Sequence, residues 1–197
     1  KSICANEPLP ALVVTVGTGE TADWYDTPAG GNLVLSGNTS FNPTASGTYY
    51  AEARNAATGC TSISRAGVTL TLTDLPTATI TGDAQLCQGG TEPLVTFTGS
   101  NGTSPYTFKY RINSGPFVTI DSPAGQNSVS LAHPTGVAGV FIYELTSVTS
   151  AGSPCVGTVL NQTATITVNA LPTAPVANNL AICYDGAVHT ASATVNA

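Results

Sequence analysis

Leu75-Pro76-Thr77-Ala78 returns as Leu171-Pro172-Thr173-Ala174, and a cysteine follows each copy at the same distance, Cys87 and Cys183. From 75 to 171 and from 87 to 183 the offset is 96 residues in both cases. A register held over that length is the signature of tandem modules, each about the size of one small β domain. The expected division is residues 1–74, residues 75–170 and a truncated third unit over residues 171–197. A string of such units suits a spacer or a binding array and argues against a self-contained enzyme.

Within each unit the apolar residues alternate with polar ones, and no stretch keeps a helical period for three turns. Leu12-Val13-Val14-Thr15-Val16, Asp23-Trp24-Tyr25, Leu33-Val34-Leu35, residues 48–54 and residues 68–72 read as strands of the first unit. In the second, Leu94-Val95-Thr96-Phe97-Thr98 precedes a run in which Tyr106, Phe108, Tyr110 and Ile112 share a face opposite Thr107, Lys109 and Arg111. Asn113-Ser114-Gly115-Pro116 then turns the chain into Phe117-Val118-Thr119-Ile120 as a hairpin. Many short strands separated by Gly, Pro and Asn turns predict all-β sandwiches. The Pro near the start of each repeat limits bending at the junctions, so the beads should form a semi-rigid rod.

Only 8% of the residues are charged, against roughly 25% in ordinary soluble domains. Thr, Ser, Gly, Ala and Asn take their place, and Thr also favours strands. The net charge is −6 and the five bases form no cluster, which excludes a nucleic-acid surface and disfavours anionic lipid. No apolar run is long enough to insert in a membrane as a helix.

Cysteines stand at 4, 60, 87, 155 and 183. The phase of the repeat groups Cys4 with Cys60 and Cys87 with Cys155, one disulfide per module, and leaves Cys183 for a partner downstream. None is spaced C-x-x-C and the chain has two histidines, so zinc is a poor alternative. Disulfides imply an oxidising compartment, and loops of this length should stabilise each module by about 4 kcal/mol.

Against known families, Cys4, Trp24-Tyr25-Asp26, Gly47-Thr48-Tyr49-Tyr50, Thr58-Gly59-Cys60-Thr61-Ser62, Arg65 and the strand over residues 68–72 resemble the Ig-like domains of very large Bacteroidetes surface proteins. Cys87-Gln88-Gly89-Gly90, Val95-Thr96-Phe97-Thr98-Gly99 and Pro105-Tyr106 resemble the PKD-like repeats of SprB-like gliding-motility adhesins. Residues 175–197, with Cys183-Tyr184-Asp185-Gly186, are similar to the start of another Ig-like unit. The resemblance implies export by the type IX system, display outside the outer membrane and a role in adhesion; it implies no ligand-contact residue. Cys60 lies eleven residues beyond Tyr49, whereas antibody domains place the cysteine two residues after the corner tyrosine. The bridge is therefore expected to staple the N-terminal segment to the tip of a late hairpin.

Candidate chemistry is sparse. Asp23 and Asp26 flank Trp24-Tyr25, but residues three apart on a strand face opposite sides, so they do not form a glycosidase pair; Trp24 reads as a core tryptophan. His133 and His189 read as solvated loop histidines without an orienting acid, and a G-x-S-x-G elbow is absent. Asp74 and Asp83 are the best candidates for calcium at a linker, yet the second linker offers only Asn169. Lys109 alternates with inward aromatics and should face water, away from any isopeptide partner. One surface stands out. With Trp24 and Tyr49 inward, Tyr25 and Tyr50 point outward, continued by Glu52 and Arg54, as a shallow platform for a carbohydrate or a partner. Asn38, Asn101 and Asn161 open N-x-S/T sequons, which Thr-rich chains produce by chance.

The chain is thus expected to be a non-enzymatic, cofactor-free segment of a secreted cell-surface adhesin. In this reading it acts as stalk and spacer, with weak multivalent binding in attachment or gliding. Its partners would be further repeats of the same chain, surface polysaccharide or outer-membrane attachment proteins. The alternative is a non-catalytic accessory module of a secreted polysaccharide-degrading or proteolytic enzyme.

Overall fold

The computed structural model describes residues 1–177 and the backbone of Ala193–Thr194. Cys183 and His189, and the expectations placed on them, lie outside the described residues. Among the described residues there is no helix, and the all-β expectation holds.

The first module contains β1 (Ser2–Cys4), β2 (Leu12–Val13), β3 (Glu20–Tyr25), β4 (Leu33–Leu35), β5 (Ser40–Phe41), β6 (Gly47–Asn55) and β7 (Ala66–Thr73). One sheet runs β1-β7-β6-β3-β4, with β1 parallel to β7 and the other neighbours antiparallel. The β2-β5 ribbon supplies the second layer. Period-two alternation sends Ala22, Trp24, Ala51 and Leu70 inward, where they meet Leu12. Phe41 packs its ring 5.4 Å from Trp24 and 4.8 Å from Tyr49. Trp24 is fully buried and its Nε1 donates to the Asn38 carbonyl at 2.8 Å, so the predicted core tryptophan is in place with its one donor satisfied.

The second module contains β8 (Thr77–Thr81), β9 (Ala84–Cys87), β10 (Leu94–Ser100), β11 (Tyr106–Ile112), β12 (Val118–Asp121), β13 (Ser128–Ala132), β14 (Gly139–Ser150) and β15 (Val156–Asn169). A β13-β10-β8 sheet faces a β12-β11-β14-β15-β9 sheet. Tyr106, Phe108 and Tyr110 point inward as the alternation requires, and Phe97 from the opposite sheet lies 5.8 Å from Phe108 and 4.9 Å from Tyr110. Lys109 is exposed on the other face. The β11–β12 hairpin turns at Asn113 and Ser114, both at positive φ (48° and 58°), the twist that suits a tight hairpin. Beyond this module β16 (Val176–Ala177) pairs with β17 (Ala193–Thr194).

The cysteines correct the expected pairing. Cys4 is bonded to Cys155, 151 residues away in the other module, while Cys60 and Cys87 are exposed free thiols. Neither the Cys4–Cys60 nor the Cys87–Cys155 bridge forms, and there is no disulfide within either module among the described residues. The reason is strand direction. Cys4 sits opposite Thr73, the last residue of β7, because β1 runs parallel to it. Cys60 lies in the turn that leads into the start of that strand. The eight residues of β7 separate the two, roughly 25 Å at strand rise, where a disulfide tolerates at most about 7 Å between Cα atoms. In the second module Cys87 is opposite Asn169 at the end of β15 and Cys155 precedes its start, with 14 residues of strand between. The late hairpin that receives the N-terminal staple belongs to the following module.

That hairpin meets the junction closely. Pro76 is fully buried, and the Cys155 Sγ lies 3.8 Å from the Thr73 carbonyl oxygen. Gly157 faces the Pro76 carbonyl so tightly that an added Cβ would overlap its oxygen and approach Val148 Cγ1 to 3.2 Å. Gly157→Ala is expected to cost about 1–3 kcal/mol through overpacking, read as a lower urea midpoint; an unchanged midpoint would show that the junction yields freely.

His133 is also a correction: it is buried, not solvated. Its backbone N–H donates to the Pro93 carbonyl, its Nδ1 lies 2.7 Å from the Tyr143 hydroxyl, and Phe141 packs 4.3 Å from the ring. The strand β13 delivers the side chain beneath β14 before Pro134 turns the chain away. Burial holds its imidazole below the ordinary value, opposed by the Glu92 carboxylate. A group that resists protonation only when folded contributes its stability in full above the unfolded value of about 6.5 and loses it as pH falls from there through the lowered folded value. The urea midpoint should therefore drop on acidification from neutrality, and His133→Gln should flatten that slope; parallel slopes for both proteins would contradict this assignment.

Candidate ligand-binding face

The outward side of the β3–β6 pair carries the predicted platform. Antiparallel register sets Tyr25 opposite Tyr50, Asp23 opposite Glu52 and Thr21 opposite Arg54. Tyr25, Tyr50, Glu52 and Arg54 are thus brought to one face, each half-buried. Leu33, opposite Tyr25 on β4, extends this face and is exposed.

Two residues that the sequence reading gave no place on this face organise it. Asp23 is buried beneath Arg54: Arg54 Nε lies 2.9 Å from Asp23 Oδ2 as an ion pair, while Asp23 Oδ1 accepts from Ser36 Oγ and the Gly37 N–H, both at 2.7 Å. Arg65 lies with Cζ 3.3 Å from the Tyr25 ring centroid and Nε 3.9 Å from Glu52 Oε1. Its Nη1 donates to the carbonyls of Thr27 (2.9 Å) and Gly30 (2.6 Å). The guanidinium therefore covers the tyrosine face, neutralises Glu52 and pins the β3–β4 loop. Inside that loop, the side chain and backbone N–H of Asn32 both bond Asp26, at 2.8 Å each, and hold its carboxyl below the ordinary range. Burial, then the Glu52 carboxylate, raises the Tyr25 phenol.

Alternation along β3 was a signal for Asp23, since it shares parity with Tyr25. Arg65 left no such signal, because the carbonyls it binds lie more than thirty residues upstream in the loop it clamps. The resulting face is closed on its Tyr25 side. Tyr50 is the aromatic left uncapped by a cation, its ring beside Gly67, where a Cβ would come within 3.4 Å. The arrangement can offer one ring edge and a balanced charge pair to a flat partner, and it holds no nucleophile paired with a base.

Elsewhere, Phe117 is exposed on the second module with Lys109 Nζ 4.7 Å and Arg111 Cζ 5.4 Å from its ring, and Arg111 pairs with Glu144 at 2.6 Å. A cleft of about 190 Å³ lined by Val14, Val16, Ala22, Ala51, Ala53 and Ser62 opens at the edge of the first sandwich. That is smaller than the several hundred Å³ of ordinary ligand pockets. Among the described residues no three His, Cys, Asp or Glu side chains cluster to hold a metal ion; Asp83, one of the two linker candidates, accepts the Thr165 N–H at 2.6 Å.

Residues 1–73 match the sequence model of a family described as an Ig-like domain, CHU_C associated. The first module is thus an Ig-like domain, which is consistent with a repeat or spacer role. No curated protein matches the chain.

Arg65→Ala should strip the cover from Tyr25 and remove the charge-assisted bonds to the Thr27 and Gly30 carbonyls. A loss of about 1–3 kcal/mol is expected for such hydrogen-bond partners, together with faster nitration of Tyr25 by tetranitromethane. Unaltered nitration would show that the guanidinium does not shield the ring.

Proposed function

We propose that the chain is a stalk segment of a long extracellular adhesin, in which Ig-like and PKD-like modules extend and stiffen a surface filament used in attachment or gliding. The observation that carries this reading is the bond between Cys4 and Cys155, which ties one module to the next at their junction. A bead array with free hinges collapses under drag, whereas modules bolted to each other transmit force. A disulfide in that position also fits an oxidising, extracellular setting outside the outer membrane. In this reading the chain does no chemistry and binds no cofactor. The Tyr50 edge and the Phe117 patch are then weak contacts with surface polysaccharide or attachment proteins, repeated along a filament and strengthened by effective concentration.

An antibody raised against residues 1–170 and applied to intact living cells tests this. Label on cell-bound filaments, moving along gliding cells, is the expected result. Label confined to the medium and co-purifying with a polysaccharide-degrading or proteolytic activity would overturn it in favour of an accessory module of a secreted enzyme.

A further inference from the structure

The two free thiols occupy the same two positions as the bonded pair. Cys87 matches Cys4: each ends the short strand that runs parallel to the last strand of its module, Cys4 opposite Thr73 and Cys87 opposite Asn169. Two residues beyond those partners the chain reads Leu75-Pro76-Thr77-Ala78 in one case and Leu171-Pro172-Thr173-Ala174 in the other. Cys60 matches Cys155: each lies in the turn between the last two strands of its module. Both turns carry a glycine at positive φ, Gly59 at 74° and Gly152 at 72°. In both, a hydroxyl two residues upstream accepts from the cysteine N–H, Thr58 Oγ1 at 3.4 Å and Ser153 Oγ at 3.2 Å.

From this equivalence we propose a disulfide relay running along the array, in which the first-strand cysteine of every module bonds the late-hairpin cysteine of the module that follows it. Cys4–Cys155 is one link, with its Cα atoms 5.5 Å apart. Cys87 supplies the next link, to the hairpin cysteine of the module after Asn169, and Cys60 receives the previous link, from the first-strand cysteine of a module ahead of Lys1. The inference rests on the reading of the chain as part of a longer array, and it names the partner of each thiol.

Burial supports it. Cys4 and Cys155 are 8% and 0% exposed at the junction they share, whereas Cys60 and Cys87 are exposed. They occupy opposite ends of their modules, and strand length alone keeps each from the cysteine of its own module, as described above for β7 and β15. Closing each link joins two thiols as S–S. The two protons and two electrons pass to a disulfide-bearing oxidant, which is reduced to a dithiol.

The test is non-reducing peptide mapping of the full-length protein taken from its cells. Trypsin, cutting after Arg54, Arg65 and Lys109, isolates Cys60 in residues 55–65 and Cys87 in residues 66–109. The expected result is that residues 55–65 travel with a first-strand peptide of the preceding module and residues 66–109 with a hairpin peptide of the following one, each released only by reduction. A Cys87→Ser substitution in the full-length protein should then leave that following hairpin cysteine open to alkylation while Cys4–Cys155 persists. Recovery of both peptides as alkylated free thiols, joined to each other, or with Cys87 joined to Cys183, would overturn the relay while leaving the adhesin reading standing. A parent protein with no neighbouring modules would overturn both.

Discussion

The parallel pairing of a three-residue first strand with the end of the last strand governs how these modules connect. In a parallel pair both chains run the same way, so β1 beside β7 places Cys4 at the end of the module where the polypeptide leaves it. The next module begins there, and its long β14–β15 hairpin returns to the same place. The bridge between Cys4 and Cys155, the buried Pro76 and the side-chain-free Gly157 all gather at that point. Closing a loop of this size by a disulfide removes about 5 kcal/mol of chain entropy from the unfolded state. The unusual feature is where that constraint acts, on the joint between two cores and not inside either.

The two cores are built by different means. The first is small, with one tryptophan and a ribbon of two short strands as its second layer, and it offsets that thinness with a polar network on its outer face. Arg65 and Asp23 are the centres of that network, and each bridges segments distant in sequence. The second has a full aromatic interior and two broad sheets, and it carries a buried His133–Tyr143 contact at one edge. Low charge content is consistent with both: Arg54, Arg65 and Arg111, three of the chain's few cations, lie in ion pairs or over a ring.

A platform of aromatics on a sheet invites a functional reading, and the geometry shows why alternation alone cannot decide it. Parity correctly put Tyr25, Tyr50, Glu52 and Arg54 on one side. Whether that side is open depends on what lies across it, and Arg65, arriving from the turn before β7, covers much of it. The same blindness explains His133. Its neighbours in sequence, Ala132-His133-Pro134-Thr135-Gly136, look like a solvated loop, while its burial is set by Phe141 and Tyr143 of the next strand.

Sequence alone determined the all-β class, the inward positions of Trp24, Tyr106, Phe108 and Tyr110 and the outward Lys109. These follow from a strand's period of two, a local property. It also indicated that a first-strand cysteine would meet the tip of a late hairpin. Which hairpin was decided by tertiary structure, because the answer depends on strand direction: a parallel neighbour puts Cys4 at one end of β7 and Cys60 at the other. Cysteine order along a chain carries no record of that direction, and only the packed sheets bring Cys155 to the place where Cys4 waits.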